Sequence, residues 1–212
     1  MSSSLQTPEA PLQGSESTSK PSYLRRLAFV AVPVIFIAIL TAGVLVKAAP
    51  HAVVGTPVPA FRLPVLVEPG QPSRTLSNKD LEGHPIVFNF WSSRCITCRD
   101  EAPQLEAAWQ RFKDQGVIVL GVDFQDTTED ALAFAREFGM DYPVVRDVNE
   151  VLVHAFGVHG YPETYFVDKD GKFFAIASFR RIGQNAGTAI FGPVQPAVLR
   201  SRIESMLAAA PN

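Results

Sequence analysis

Hydrophobic and polar positions fall into blocks whose period changes along the chain. Residues 1 to 26 are rich in Ser, Pro, Gln and Glu and carry almost no large apolar side chain before Tyr23. They bury too little surface to offset chain entropy, so a disordered tail is expected. Leu27 to Val46 then carries no charged residue. At about 1.5 Å rise per residue, that run covers the roughly 30 Å hydrocarbon core of a bilayer and predicts a transmembrane helix. A cleaved signal peptide has a shorter apolar core of about 7–15 residues, and Ala48-Ala49 is a weak cleavage site. A buried core helix is normally amphipathic, whereas this run is apolar all round.

Beyond the span, residues 47 to 58 show Pro50, Gly55 and Pro57 without periodicity and read as a linker, leaving 59 to 212 as the folded domain. Residues 61 to 67 and 73 to 76 are predicted as short strands around a Pro-Gly turn, with Ser77 capping one helical turn. Pro85 to Trp91 (PIVFNFW) is an apolar run of strand length, expected to be central and buried on both faces. A helix is predicted from Ile96 to Phe112, with Leu105, Ala108, Trp109 and Phe112 at helical spacing. A second apolar strand follows over Gly116 to Phe124, and a second amphipathic helix over Thr128 to Phe138.

The pattern continues with a short strand at Tyr142 to Arg146, a helical piece at Asn149 to Phe156 and a strand at Glu163 to Asp168. The Asp170-Gly171 turn predicts a hairpin to Phe173 to Phe179, and residues 197 to 209 form a closing helix. Strands alternating with helices and ending in a hairpin imply an α/β fold with a mixed central sheet.

Charge changes this picture in two ways. Lys20, Arg25 and Arg26 precede the span, while Lys47 and Arg62 are the nearest cations after it, so the tail is expected inside and the domain on the extracytoplasmic face of the cell membrane. The formal net charge of −2 gives no globally basic surface, and nucleic acid is not an expected partner.

The chain has two cysteines, in Cys95-Ile96-Thr97-Cys98. They sit where a central strand passes into a helix, a place where free backbone N–H groups and the positive end of the helix dipole stabilise a thiolate. Arg94 and Arg99 flank the pair and favour the thiolate if they point inward. Arg94 is expected partly buried along the rim, with its charge near the sulfur. Cys98, one turn on, is expected to be partly buried and to resolve a mixed disulfide on Cys95. The alternatives are an inert pair and half a metal site. A structural zinc needs four ligands, and His51, His84, His154 and His159 are scattered without ligand spacing, so neither metal nor cofactor is expected.

The stretch Phe90-Trp91-Ser92-Ser93-Arg94-Cys95-Ile96-Thr97-Cys98-Arg99-Asp100-Glu101-Ala102-Pro103 resembles the active-site segment of membrane-tethered thioredoxin-like oxidoreductases of the TlpA/ResA/DsbE kind. Gly160-Tyr161-Pro162-Glu163-Thr164-Tyr165-Phe166-Val167-Asp168 is similar to that family's GxPxTxxxD loop, and its Pro-Glu-Thr form resembles the cytochrome c biogenesis branch. Val54 to Phe61 resembles the entry segment. Two departures stand out: Arg94 replaces the usual Trp before the first cysteine, and Ile96-Thr97 lacks the proline often found between the cysteines.

The resemblance implies a thioredoxin-like fold in which Cys95 attacks, Cys98 resolves and Pro162 is a cis-proline facing them. It turns the Tyr161 backbone toward substrate and puts Trp91 and Arg94 with Tyr161 on the substrate-binding surface. Glu101 becomes a proton acceptor near Cys98, against the plain reading of a first-turn surface glutamate. Asp126 matches an acidic position of the biogenesis branch but reads better as a helix N-cap paired with Glu129. The implied partners are exported proteins with cysteine pairs, among them apocytochrome c, and a membrane-embedded thiol reductase as electron donor. Membrane lipid is expected around residues 27 to 46. The segment Gln184 to Pro196 has no assigned role.

Overall fold

The computed structural model describes residues 22–45, 52–174 and 188–209. The chain divides into two units, Met1–Lys47 and Ala48–Asn212. In the first, helix α1 (Ser22–Leu45) contains Pro33 and exposes Phe29, Val30, Val32 and Phe36. Among the described residues no helix is long and apolar enough to cross a membrane. Most of the expected tail, residues 1 to 21, lies outside the described residues.

The second unit is a sheet covered on both faces. Strands β3 (Ile86–Trp91), β4 (Ile118–Asp123), β5 (Val144–Arg146), β6 (Glu163–Val167) and β7 (Ala189–Phe191) lie in the order β5-β4-β3-β6-β7. β3 runs parallel to β4 and β4 to β5, whereas β6 is antiparallel to β3 and β7 to β6. This is the mixed sheet of a thioredoxin-like fold. The small antiparallel pair β1 (Arg62–Pro64) and β2 (Thr75–Ser77) is a separate ladder, tied to the β5 edge where Val65 bridges Val145 and Leu66 N donates to Val144 O at 2.8 Å. After β2 comes a short 3-10 turn, Asn78–Leu81, where Ser77 N and Oγ both donate to Asp80 at 2.8 and 2.6 Å.

All of β3 is buried, and its period of two sorts side chains between two cores. Ile86, Phe88 and Phe90 enter a core built around Phe156 on α4 (Val151–Phe156). That ring lies 4.9 to 5.3 Å from those of Phe88, Phe90, Tyr165 and Phe173. Val87 and Trp91 enter the other core, under α2 (Ile96–Phe112), α3 (Thr128–Glu137) and α5 (Pro196–Ala208). Trp91 stacks on Phe134 at 4.5 Å, and a Cβ at Gly121 would stand 2.9 Å from its indole nitrogen. Only glycine leaves room for that ring.

One expectation needs correction. The linker over 47 to 58 is docked from Ala52 onward: Ala52 is buried, Gly55 N donates to Phe173 O at 2.8 Å and Val58 N to Gly171 O at 2.9 Å. Backbone donors without regular periodicity found partners in the 171–173 turn, which no local pattern reports. The hairpin after Asp170-Gly171 begins as expected, with Phe173 bridged antiparallel to Val167 and Phe174 N donating to Phe166 O at 2.8 Å, and residues 175 to 179 lie outside the described residues. β7 adds a further strand beside β6, from within the segment that had no assigned role.

Candidate active site

Cys95 is the N-cap of α2 and forms a disulfide with Cys98, their Cα atoms 5.2 Å apart. The Cys98 backbone N–H points at Cys95 Sγ at 3.0 Å, and Thr97 Oγ1 lies 3.4 Å from it. Such amide donation favours negative charge on Cys95 when the pair is reduced. Both cysteines are buried, Cys98 at 3% exposure and Cys95 at 6%, while Ile96 between them is 78% exposed. An apolar side chain, placed between the two cysteines in sequence, thus stands in solvent.

The flanking arginines behave differently from each other. Arg99 pairs with Glu137 and lies over the Phe138 ring at 5.0 Å, so its charge is engaged away from the sulfurs. Arg94 is exposed and makes no side-chain hydrogen bond or ion pair among the described residues. The expected partial burial of Arg94 is therefore corrected: the turn Ser93-Arg94 projects it outward, and water solvates the guanidinium.

Glu101 is 1% exposed, which overturns the surface reading. It lies one turn beyond Cys98 on α2, and its Oε1 accepts hydrogen bonds from Val194 N at 3.2 Å, Asn89 Nδ2 at 3.3 Å and Thr164 Oγ1 at 3.3 Å. Burial pushes its carboxyl up to about 7, against the opposing effect of those three donors. Oε2 has no hydrogen-bond partner among the described residues. A buried carboxyl in this range exchanges a proton near neutral pH.

The Tyr161–Pro162 bond is cis. Tyr161 is half-buried and packs against the core that contains both cysteines. Next in sequence, Glu163 is buried. Its Oε2 accepts from His159 N at 3.0 Å, and its other oxygen accepts the Tyr165 hydroxyl hydrogen. Burial raises the Glu163 carboxyl above its ordinary range. Trp91 is corrected as a substrate-surface residue: at 1% exposure it sits in the core, because β3 alternation and the stack on Phe134 direct it inward.

Asp126 is not the cap of α3. That role falls to Thr127, whose Oγ1 accepts from Asp130 N at 3.1 Å. Asp126 instead accepts from Ser93 N at 2.6 Å, Ser93 Oγ at 2.8 Å and Ser92 Oγ at 3.1 Å, tying the turn after β4 to the loop before Cys95. Sequence reading also missed Asn89, Asp123 and Arg146. An asparagine in an otherwise apolar strand was the only available signal for the first.

A family model aligns with residues 54–175, the stretch that holds both the helix-capping CxxC and the cis-proline loop. The chain belongs to the AhpC/TSA family. Among its relatives in this thioredoxin-like family is the thiol:disulfide interchange protein DsbE of Pseudomonas aeruginosa, 37% identical over 123 residues, which are 58% of this chain and 64% of that one. The DsbE of Allochromatium vinosum is 34% identical over 152 residues, covering 71% and 78%. The chain thus spans just under two thirds of the length of the Pseudomonas relative. Among solved structures, a thiol:disulfide interchange protein of the thioredoxin family from Chlorobium tepidum superposes with a TM-score of 0.59 at 21% identity, over 72% of this chain and 97% of that one, which establishes the fold.

Proposed function

We propose that this family member is a thiol–disulfide oxidoreductase that reduces disulfides in exported proteins, with Cys95 as nucleophile and Cys98 as resolving thiol. The observation that carries this reading is the Cys95–Cys98 pair at the start of α2, with the buried Glu101 carboxyl one turn further on. The Cys95 thiolate attacks one sulfur of a substrate disulfide, and the other substrate sulfur leaves as a thiolate that takes a proton from water. Cys98 then gives its proton to the Glu101 carboxylate and attacks Cys95 Sγ. That closes the protein disulfide and releases the second substrate thiolate, so two electrons pass to the substrate. Tyr161 and Pro162 present backbone to an extended substrate segment, and the exposed Arg94 and Ile96 face it from the other side.

The substrate we propose is a cysteine pair such as that of apocytochrome c, supported by the Pro162-Glu163-Thr164 form that resembles the biogenesis branch. A membrane-embedded thiol reductase returns the electrons. The charge-free run Leu27 to Val46 and the cations that precede it are, in this reading, the sequence support for an anchor that holds the domain on the extracytoplasmic face.

The deciding experiment equilibrates the full chain with glutathione and follows electron transfer to a disulfide peptide containing Cys-x-x-Cys. A potential near −270 mV with transfer to the peptide supports the reductant. A value near −120 mV assigns an oxidase instead, since roughly that interval separates the two roles.

A further inference from the structure

Beneath the loop that carries Cys95 lies a charged cluster that thiol exchange itself does not require. Asp123 ends β4, Arg146 ends β5, and the two are paired in register. Asp123 is fully buried and the Arg146 side chain is 10% exposed, with Arg146 Nε 2.5 Å from Asp123 Oδ2. The same guanidinium donates through Nη2 to the Asp126 backbone oxygen at 2.5 Å and through Nη1 to Thr128 Oγ1 at 2.6 Å. Asp126 in turn holds Ser92 and Ser93, and Ser92 O accepts the Cys95 N–H at 3.0 Å.

Two physical points argue that this arrangement sets geometry. A buried ion pair contributes little net stability, because desolvating both charges offsets their attraction, and apolar replacements are often no worse. Here burial, with Asp126 adding to it, still pushes Asp123 up to about 8 despite Arg146. The turn also needs holding: Gln125, between Asp123 and Asp126, has φ of 66°, in the left-handed region that non-glycine residues seldom occupy. Arg146 grips the turn at the residue directly after Gln125.

We propose that Arg146 is a positioning residue for Cys95, acting through Asp126: its guanidinium fixes the Gln125-Asp126 turn so that the Asp126 carboxylate holds Ser92 and Ser93, and with them the N-terminal cap of α2. The proposal rests on the reading of Cys95 as nucleophile. Among the described residues, the charged groups on the segment of Cys95 are Arg94, Arg99, Asp100 and the buried Glu101, with Glu137 of α3 paired to Arg99. Around Asp126 they are Asp123 and Arg146. Removing the guanidinium leaves a carboxylate beside the loop without its nearest cation and lets the cap geometry loosen, and both effects disfavour the Cys95 thiolate.

The test uses the full chain in detergent, reduced, in a Cys98→Ser background, with iodoacetamide alkylation of Cys95 followed from about pH 5 to 9. Arg146→Gln is expected to slow alkylation at pH 6.5 by about threefold or more, equivalent to an upward shift of the titration midpoint of about half a unit. With Asp126→Asn also present, adding Arg146→Gln is expected to shift the midpoint by less than half as much. A folded Arg146→Gln variant with an unchanged midpoint overturns the proposal, as does an equal shift in both backgrounds. If Arg146→Gln does not fold, the Asp123→Asn/Arg146→Gln pair, which buries no unpaired charge, is read by the same criteria. A wild-type chain that passes no electrons to disulfide peptides refutes the exchange reading instead, and the alkylation profile still decides the role of Arg146.

Discussion

Asn89 on β3 donates its side-chain amide to Glu101 on α2 at 3.3 Å, in the core directly behind the cysteine pair. Thr164 on β6 meets the same two residues, lying 3.1 Å from Asn89 Nδ2 and 3.3 Å from Glu101 Oε1. Central strand, cis-proline strand and cysteine helix are thereby joined at one carboxyl group. Neutral donors stabilise its charged form only in part, and burial keeps it protonated up to about 7.

The first prediction follows from the sign of that shift. A carboxyl whose folded value lies above its ordinary 4.5 holds its proton longer in the folded state, so stability falls as pH rises from about 4.5 to 7 and is level above. Asp123, at about 8, extends the decline. Glu101→Gln should remove part of this slope, gaining on the order of 1–3 kcal/mol relative to wild type between pH 4.5 and 8. Urea unfolding at the two pH values checks it; an unaltered slope contradicts the buried carboxyl.

The second concerns the proton itself. In the Glu101→Gln variant, Cys95 should still capture a disulfide peptide, but resolution by Cys98 should slow by about 10- to 100-fold near pH 7. Quenched-flow separation of mixed disulfide from product reads both steps. Equal slowing of capture and resolution would place Glu101 elsewhere in the reaction.

A third prediction assigns the two thiols. Cys98→Ser should accumulate a mixed disulfide on Cys95 that non-reducing electrophoresis detects, whereas Cys95→Ser should trap none. The reverse outcome exchanges their roles.

Arg94 is exposed, so its effect must travel through water and salt. Arg94→Ala is expected to slow capture of an acidic disulfide peptide about three- to tenfold at roughly 10 mM salt, with the difference vanishing near 1 M. Stopped-flow rates at the two ionic strengths measure it. A salt-independent loss would mean that the side chain acts by packing instead.

The last prediction tests the support under the site. Gly121→Ala places a methyl group against Trp91, Val144 and Tyr142 at 2.9 to 3.2 Å and should cost about 1–3 kcal/mol. Phe156→Ala, which empties the centre of the opposite core, should cost about 3–5 kcal/mol. Chemical denaturation of both variants gives the comparison. Gly121→Ala should also perturb the near-UV signal of Trp91.

Local pattern was enough for the main elements, because burial on both faces makes β3 and β4 continuous apolar runs, and α2 announces itself by helical spacing. The cysteine pair at a strand-to-helix junction was likewise legible, since cap position and thiolate chemistry depend on neighbours in sequence. What the sequence left open was which polar groups face each other across the sheet. Glu101 reads equally well as a surface residue, and only the approach of Asn89, Thr164 and Val194 from three other segments made it a buried carboxyl. Asp126 reads as a cap until the loop at Ser92-Ser93 is brought to it, and Arg146 shows no role until β5 lies beside β4. β7 stayed hidden because a three-residue edge strand is specified by its pairing with β6 rather than by its own period. Periodicity and local capping are short-range properties written along the chain, whereas a pKa or a clamped turn depends on charges and donors that meet only after folding.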